Sequence, residues 1–249
     1  VKIDYAFMSC DTKPVNGLGE LIDPDYYLGF WEPVSKAWKK LGIEPILLKV
    51  VENPSDFTDG NGVYHLPVIK DLPDYTYQKS VRNFQSMTAR LWGWSMFEGN
   101  GIITDLDMMP LNGNYFNGQN YSEDKVVSFS SDAKEKFGTI GACYVLSNHK
   151  KAREFFGEID YSTWIKKVAL MTGQKWGGEQ WYLEQLVNFA DGIHLSRGFN
   201  SAGEASRRID RNSWNYTEEQ VKKGYYFDAH LPRPYKEYKE TIYKLLSLI

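Results

Sequence analysis

Asp105 and Asp107 flank a single leucine just after the apolar run Ile102-Ile103-Thr104. Two carboxylates placed so close together at the end of a strand repel each other unless a cation lies between them. A hard divalent ion, Mn²⁺ or Mg²⁺, suits such an oxygen pair and leaves positions open for phosphate oxygens. Side chains alternate along a strand, so Asp105 and Asp107 are expected on one side, with Leu106 turned back to the core. A polar turn at a strand end is the competing reading. The setting, Gly-Asn-Gly-Ile-Ile-Thr-Asp-Leu-Asp-Met-Met-Pro-Leu from Gly99 to Leu111, favours the metal site.

A second stretch, Trp176-Gly177-Gly178-Glu179-Gln180, leads into a helical run. Two glycines let the backbone approach a ligand closely. The helix dipole keeps a carboxylate at Glu179 ionised, which is the state that accepts a proton from a hydroxyl. A capping carboxylate would look the same, so both readings stand. Arg82 and Arg90 lie on a long helical run ahead of the aspartates, and a guanidinium pairs well with phosphate oxygens. Either also fits a surface arginine, although Arg90 borders the apolar face. Ser9-Cys10-Asp11-Thr12 reads as a polar turn. Among the histidines, His149 sits in an Asn-His-Lys-Lys turn that reads as solvent-facing, and His194 reads as part of a strand.

Strands and helices must hold these residues in place. Residues 3–8 read as a buried first strand, 28–41 as a helix ended by Gly42, and 45–51 as a second strand. Residues 63–69 form a third strand weakened by Pro67. A long helix is expected over 78–98, then a strand from Ile102 into the aspartates. Further strands are expected at 126–130 and 141–147, and helices at 150–159, 164–171, 179–190 and 236–248. The stretch 225–235 reads as strand or loop. Strands alternating with helices predict an α/β fold with a mostly parallel sheet.

The 249 residues carry a net charge of −3, and their basic runs are only pairs. That argues against nucleic-acid binding, which needs a basic patch to replace phosphate counterions. Aromatic residues reach 15%; most are expected in the core, although Trp and Tyr also stack on ring-shaped ligands. Cys10 and Cys143 have no metal-type spacing and read as buried thiols. No apolar run is long enough to span a bilayer and no signal pattern is visible, so a soluble, cytoplasmic location is the expectation.

In its order of first strand, polar loop, helix, long helix, strand and Asp-x-Asp, the chain resembles the GT-A glycosyltransferases. The resemblance covers most of the chain in element order but only short stretches in residues. It implies a single GT-A domain over 1–249, with a mixed, mostly parallel sheet flanked by helices. It also implies transfer of a sugar from a nucleotide-diphosphate sugar, UDP-linked first and GDP-linked second, to a glycan or other hydroxyl. Asp105, Asp107 and the late His230 of Asp228-Ala229-His230 are then the implied ligands of Mn²⁺ or Mg²⁺. Ser9, Cys10, Asp11 and Thr12 would wrap the nucleoside, and Arg82, Arg90, Asp105 and Leu106 would meet the rest of the donor. The stretch at Trp176 is similar to the Trp-Gly-Gly-Glu-Asp of inverting β-1,4-galactosyltransferases. This implies that Trp176, Gly177, Gly178 and Gln180 bind the acceptor while Glu179 acts as the catalytic base. Gln180 departs from that pattern, because glutamine is no base. The role passes to Glu179, or the reaction is retaining and lacks such a base. Gly138-Thr-Ile-Gly141-Ala142 looks like the family's stretch beneath the acceptor.

Two other classes compete. A nucleotidyltransferase shares the architecture, but Ser9-Cys10-Asp11-Thr12-Lys13 lacks its Gly-rich signature. A non-catalytic sugar-binding module would use the aromatic surplus without a nucleotide.

Overall fold

The strand β1 (Tyr5–Asp11) is buried along nearly its whole length, as a strand covered on both faces must be. The computed structural model describes residues 2–14, 20–53, 58–72, 81–117, 122–129, 143–157, 160–172, 178–190, 192–194 and 207–249. Two 3₁₀ turns, Pro24–Tyr26 and Leu28–Phe30, lead from β1 into α1 (Trp31–Lys40). There follow β2 (Glu44–Val51), β3 (Thr58–Gly60), β4 (Val63–Pro67), α2 (Val81–Met96), β5 (Asn100–Ile103), β6 (Met108–Pro110), α3 (Gly113–Asn117), β7 (Val127–Ser128) and β8 (Val145–Asn148). The remaining elements are α4 (His149–Phe156), α5 (Tyr161–Thr172), α6 (Gly178–Phe189), β9 (Ile193–His194), β10 (Arg208–Ile209), α7 (Glu218–Lys222), β11 (Asp228–His230) and α8 (Tyr235–Leu246).

The main sheet runs β3-β4-β2-β1-β5-β8-β7-β9. Strands β4, β2, β1 and β5 are parallel, while β3 and β8 pair antiparallel with β4 and β5. The chain travels outward from β1 to β2 and β4, then returns through α2 to β5 on the other side of β1. The carboxyl ends of β1 and β5 therefore flank a point where the chain's direction of travel reverses, the place where open α/β sheets form a ligand crevice. A small second sheet, β10-β11-β6, begins directly after that crevice.

Alternation along the strands divides the core in two. Ala6, Met8, Cys10, Leu47 and Ile102 face α1 and α8. Phe7, Ile46, Leu48, Val50 and Ile103 face α2, α4, α5 and α6. Gly101 is needed for this packing, since a Cβ there would lie 2.5 Å from the Phe7 ring and 2.6 Å from Trp94. Many of the aromatic residues are core, with Trp38, Trp94, Trp164, Tyr144 and Tyr182 fully buried. Both cysteines are buried free thiols. Among the described residues no helix is long and apolar enough to cross a membrane.

Three expectations are corrected. The first strand runs on to Asp11, because β2 pairs with it along its whole length. Thr104 leaves β5, and the aspartates sit in a turn closed by Met108 N–H donating to the Asp105 carbonyl at 3.1 Å, so strand alternation does not orient them. His149 is buried rather than solvent-facing. Asn148 caps α4 through Lys150 N–H, which turns His149 inward, where its Nδ1 accepts the Gly99 amide at 2.9 Å. The stretch Gly138 to Ala142 lies outside the described residues.

Candidate active site

A cavity of about 360 Å³ opens at the carboxyl ends of β1 and β5, within the range of about 300–1,000 Å³ that small-molecule sites occupy. Ser9, Cys10 and Asp11 line it from β1, and Asn83, Ser86, Met87 and Arg90 from α2. Tyr26 and Tyr27 line it from the 3₁₀ segment, Asp105 from the turn after β5, and Arg233 from the chain after β11.

Arg90 is the buried support of the turn. It donates to the Thr104 carbonyl at 2.6 Å and to Asp105 Oδ1. The Cys143 thiol donates to the other Asp105 oxygen at 2.9 Å. Burial raises the pKa of Asp105, and the Arg90 charge overcomes this and holds it below the usual carboxylate range. Burial and the adjacent Asp105 push the Cys143 thiol up, so it keeps the proton it donates.

Asp107 is fully buried and more heavily engaged. The Tyr27 hydroxyl donates to its Oδ1 at 3.1 Å. Both Nε and Nη2 of Arg233 donate to its Oδ2, the first at 2.8 Å. Arg211 stands 3.5 Å from the same oxygen and His230 Nε2 3.3 Å from it. Burial opposes ionisation, but the His230 hydrogen bond and the Arg233 charge outweigh it and keep Asp107 well below its ordinary value. His230 lies beside Asp107 because β6 and β11 pair antiparallel, with His230 opposite Met108. Asp228, on the same strand, is anchored by Arg208 at 2.6 and 2.7 Å and by the Tyr144 hydroxyl at 2.8 Å.

Asp107 and His230 are oxygen and nitrogen donors of the types a divalent ion takes. They lie in direct contact, with Asp107 Oδ2 and His230 Nε2 3.3 Å apart, and would hold such an ion by giving up that contact. Behind the imidazole, Asp210 stands 3.7 Å from His230 Nδ1, and a carboxylate in that position orients ligating histidines. Burial lowers the His230 pKa, and hydrogen bonds to Asp107 and Asp210 more than reverse this. Among the described residues, however, no three His, Cys, Asp or Glu side chains are gathered into a metal cluster. Arg90 holds Asp105 apart, and Arg233 covers Asp107.

No protein-family model matches the sequence, and no curated protein matches it. Among solved structures, the apo form of the glycosyltransferase GlyE of Streptococcus pneumoniae TIGR4 matches with a TM-score of 0.51 and 12% identity, over 99% of this chain and 60% of that one. The chain has a GT-A-like fold. It spans 45% of the length of a second GlyE structure, at a TM-score of 0.41 and 15% identity. The galactosyltransferase LgtC, bound to donor and acceptor sugar analogues, aligns over 98% of this chain and 95% of that one, at a TM-score of 0.46 and 14% identity. A glycosyltransferase involved in glycosylating the major capsid of PBCV-1 aligns over 96% of this chain and 99% of that one, at a TM-score of 0.46 and 10% identity.

Within this GT-A-like fold the residues singled out in the sequence fall into three groups. Ser9, Cys10, Asp11, Arg90 and Asp105 line one cavity, with Asp107 and His230 directly behind it. Thr12, Arg82 and Leu106 are engaged elsewhere. The Thr12 hydroxyl donates to the Val50 carbonyl at 3.2 Å, Arg82 clamps Asp11 and Glu52, and Leu106 is buried in the core. Gly178 begins α6, so Glu179 and Gln180 sit in its first turn. Trp176 and Gly177 lie outside the described residues, as do the side chains of Glu179 and Gln180. Sequence reasoning missed Tyr27, Cys143, Asp210, Arg211 and Arg233. Only Arg233, three residues after His230, carried a local hint.

Proposed function

We propose that the chain transfers a sugar from a nucleotide-diphosphate sugar, UDP-linked first, to a hydroxyl of a glycan or other acceptor. The observation that carries this reading is the cavity at the β1/β5 edge, where the Arg90 and Arg233 side chains and the Asp105 carboxylate line one wall beside Ser9, Cys10 and Asp11. A diphosphate needs cationic donors aimed at its oxygens, and a nucleoside needs a polar strand-end loop beside an apolar wall. Met87, Ile22 and the two tyrosines supply that wall.

In this reading Arg90 fixes the Asp105 turn, while Tyr27 and Asp210 brace Asp107 and His230. Asp105, Asp107 and His230 would hold Mn²⁺ or Mg²⁺, which neutralises charge on the departing nucleoside diphosphate. Arg233 lines the same cavity and would meet the diphosphate from its wall. Each such preorganised contact contributes a few kcal/mol to the transition state. Glu179, in the first turn of α6, is our choice of base for the acceptor hydroxyl.

The test is thermal melting with UDP, GDP, CDP and dTDP, each with and without Mn²⁺. A ligand that binds only the folded chain raises the melting temperature by mass action. We expect a rise with UDP that grows with Mn²⁺ and is lost in Asp107→Asn. No rise with any nucleotide would sink the proposal and favour a sugar-binding module.

A further inference from the structure

Arg90 and Arg233 both neutralise an aspartate of the site, but they are held differently. The Arg90 side chain is 4% exposed and braced on a backbone carbonyl. That of Arg233 is 32% exposed and rests on the Tyr27 ring, 5.0 Å from its centroid. It also lines two cavities, the main one and a neighbour of about 310 Å³ formed with Tyr26, Arg211 and Tyr238. The Arg233 side chain therefore borders open volume in two places.

The oxygen that Arg233 covers is the one facing His230 at 3.3 Å. A divalent ion shared between Asp107 and His230 would need that oxygen, with a guanidinium in contact and Arg211 standing 3.5 Å away. Like charges so close in a site shielded from water repel strongly. Three guanidiniums, Arg90, Arg211 and Arg233, already face three carboxylates, Asp105, Asp107 and Asp210. A divalent ion alone would leave the site with excess positive charge. A divalent ion together with a diphosphate would restore the balance and give the displaced guanidinium an anionic partner.

We propose that Arg233 is a displaceable internal cation. In the protein without nucleotide its guanidinium occupies the Asp107 oxygen that a divalent ion would take. It moves to diphosphate oxygens when the nucleotide enters, so metal and diphosphate bind as a pair. The nucleotide half of this inference rests on the glycosyltransferase reading. The metal half rests on Asp107, His230 and Arg233 alone.

The experiment is a Mn²⁺ titration read from the paramagnetic resonance signal of the free ion. It compares the wild-type chain with Arg233→Ala and Arg233→Gln, with and without UDP. In the wild type, UDP should tighten Mn²⁺ by about tenfold or more, and Mn²⁺ should tighten UDP by the same factor, because coupling between two ligands is reciprocal. Both variants should bind Mn²⁺ alone about tenfold more tightly than the wild type, with weaker coupling to UDP, because the competing cation is gone. Equal affinity for Mn²⁺ alone in the wild type and in whichever variant keeps a native circular dichroism spectrum overturns the proposal. If UDP binds neither with nor without Mn²⁺, the nucleotide reading falls, and the metal-alone comparison still decides what Arg233 does at Asp107.

Discussion

At the scale of single residues, the four carboxylate oxygens of Asp105 and Asp107 are each met by a protein donor: Arg90, Cys143, Tyr27 and Arg233. Such preorganisation holds both groups below the usual carboxylate range, although Asp107 is fully buried and Asp105 half-buried. Arg90 is the member with no room to move, so its removal should be felt in folding as well as in function. Arg90→Ala leaves the Asp105 carboxylate and the Thr104 carbonyl without their shared donor. We expect a loss of about 2 kcal/mol in urea unfolding, together with loss of Mn²⁺-dependent nucleotide binding. Arg90→Lys should recover part of the stability, since it restores the charge without the planar fork. Wild-type stability in Arg90→Ala would show that the pair is no structural support.

At the scale of elements, the site depends on two contacts that bring distant segments over the crevice. The β6–β11 pairing sets His230 beside Asp107. The 3₁₀ segment is held against α8 by Phe30 edge-on to Tyr235, with ring centroids 5.4 Å apart, and by Lys236 on Asp23 at 2.7 Å. Gly29 makes this second contact feasible, since a Cβ there would lie 2.0 Å from the Tyr235 ring. Gly29→Ala should therefore push the segment off α8 and shift Tyr27 away from Asp107. The expected cost is about 1–3 kcal/mol, as for overpacking in a core, read by denaturant unfolding, with a matching drop in nucleotide affinity. An unchanged affinity would separate the segment from the site. The same element view explains why Thr12 and Arg82 do not face the cavity. Thr12 donates to Val50 on the neighbouring strand β2, and Arg82, on α2, is held by Asp11 and Glu52.

At the scale of the whole molecule, the chain covers one sheet with two layers, and the layer over α1 is completed by the last segment. Ile209, Ala229, Leu231, Ile242 and Leu245 are buried in the same cluster as Val34, Trp38 and Met8. A chain ending at 206 would expose that face and lose His230 and Arg233 together. We expect it to show no cooperative melting by circular dichroism, because large apolar surface would be returned to water. A cooperative transition close to that of the full chain would instead make the last segment an addition to a self-sufficient core.

Sequence by itself determined the parts whose signal is local. The apolar run of β1, the period of α2 and the strand before Asp105 could be read because burial repeats with the geometry of each element. Leu106 is core, although a turn rather than strand alternation puts it there, and residue type and spacing brought out Asp105, Asp107 and Arg90 as candidates. His149 was misread because a local polar sequence does not reveal that a cap will turn a side chain inward. Tertiary structure alone decided which side chains meet Asp107. Tyr27 is 80 residues before it in sequence and Arg233 is 126 after it. An ion pair over such a distance leaves no periodic trace. It is created when β11 pairs with β6 and the 3₁₀ segment docks on α8, two long-range contacts set by complementary surfaces rather than by local pattern.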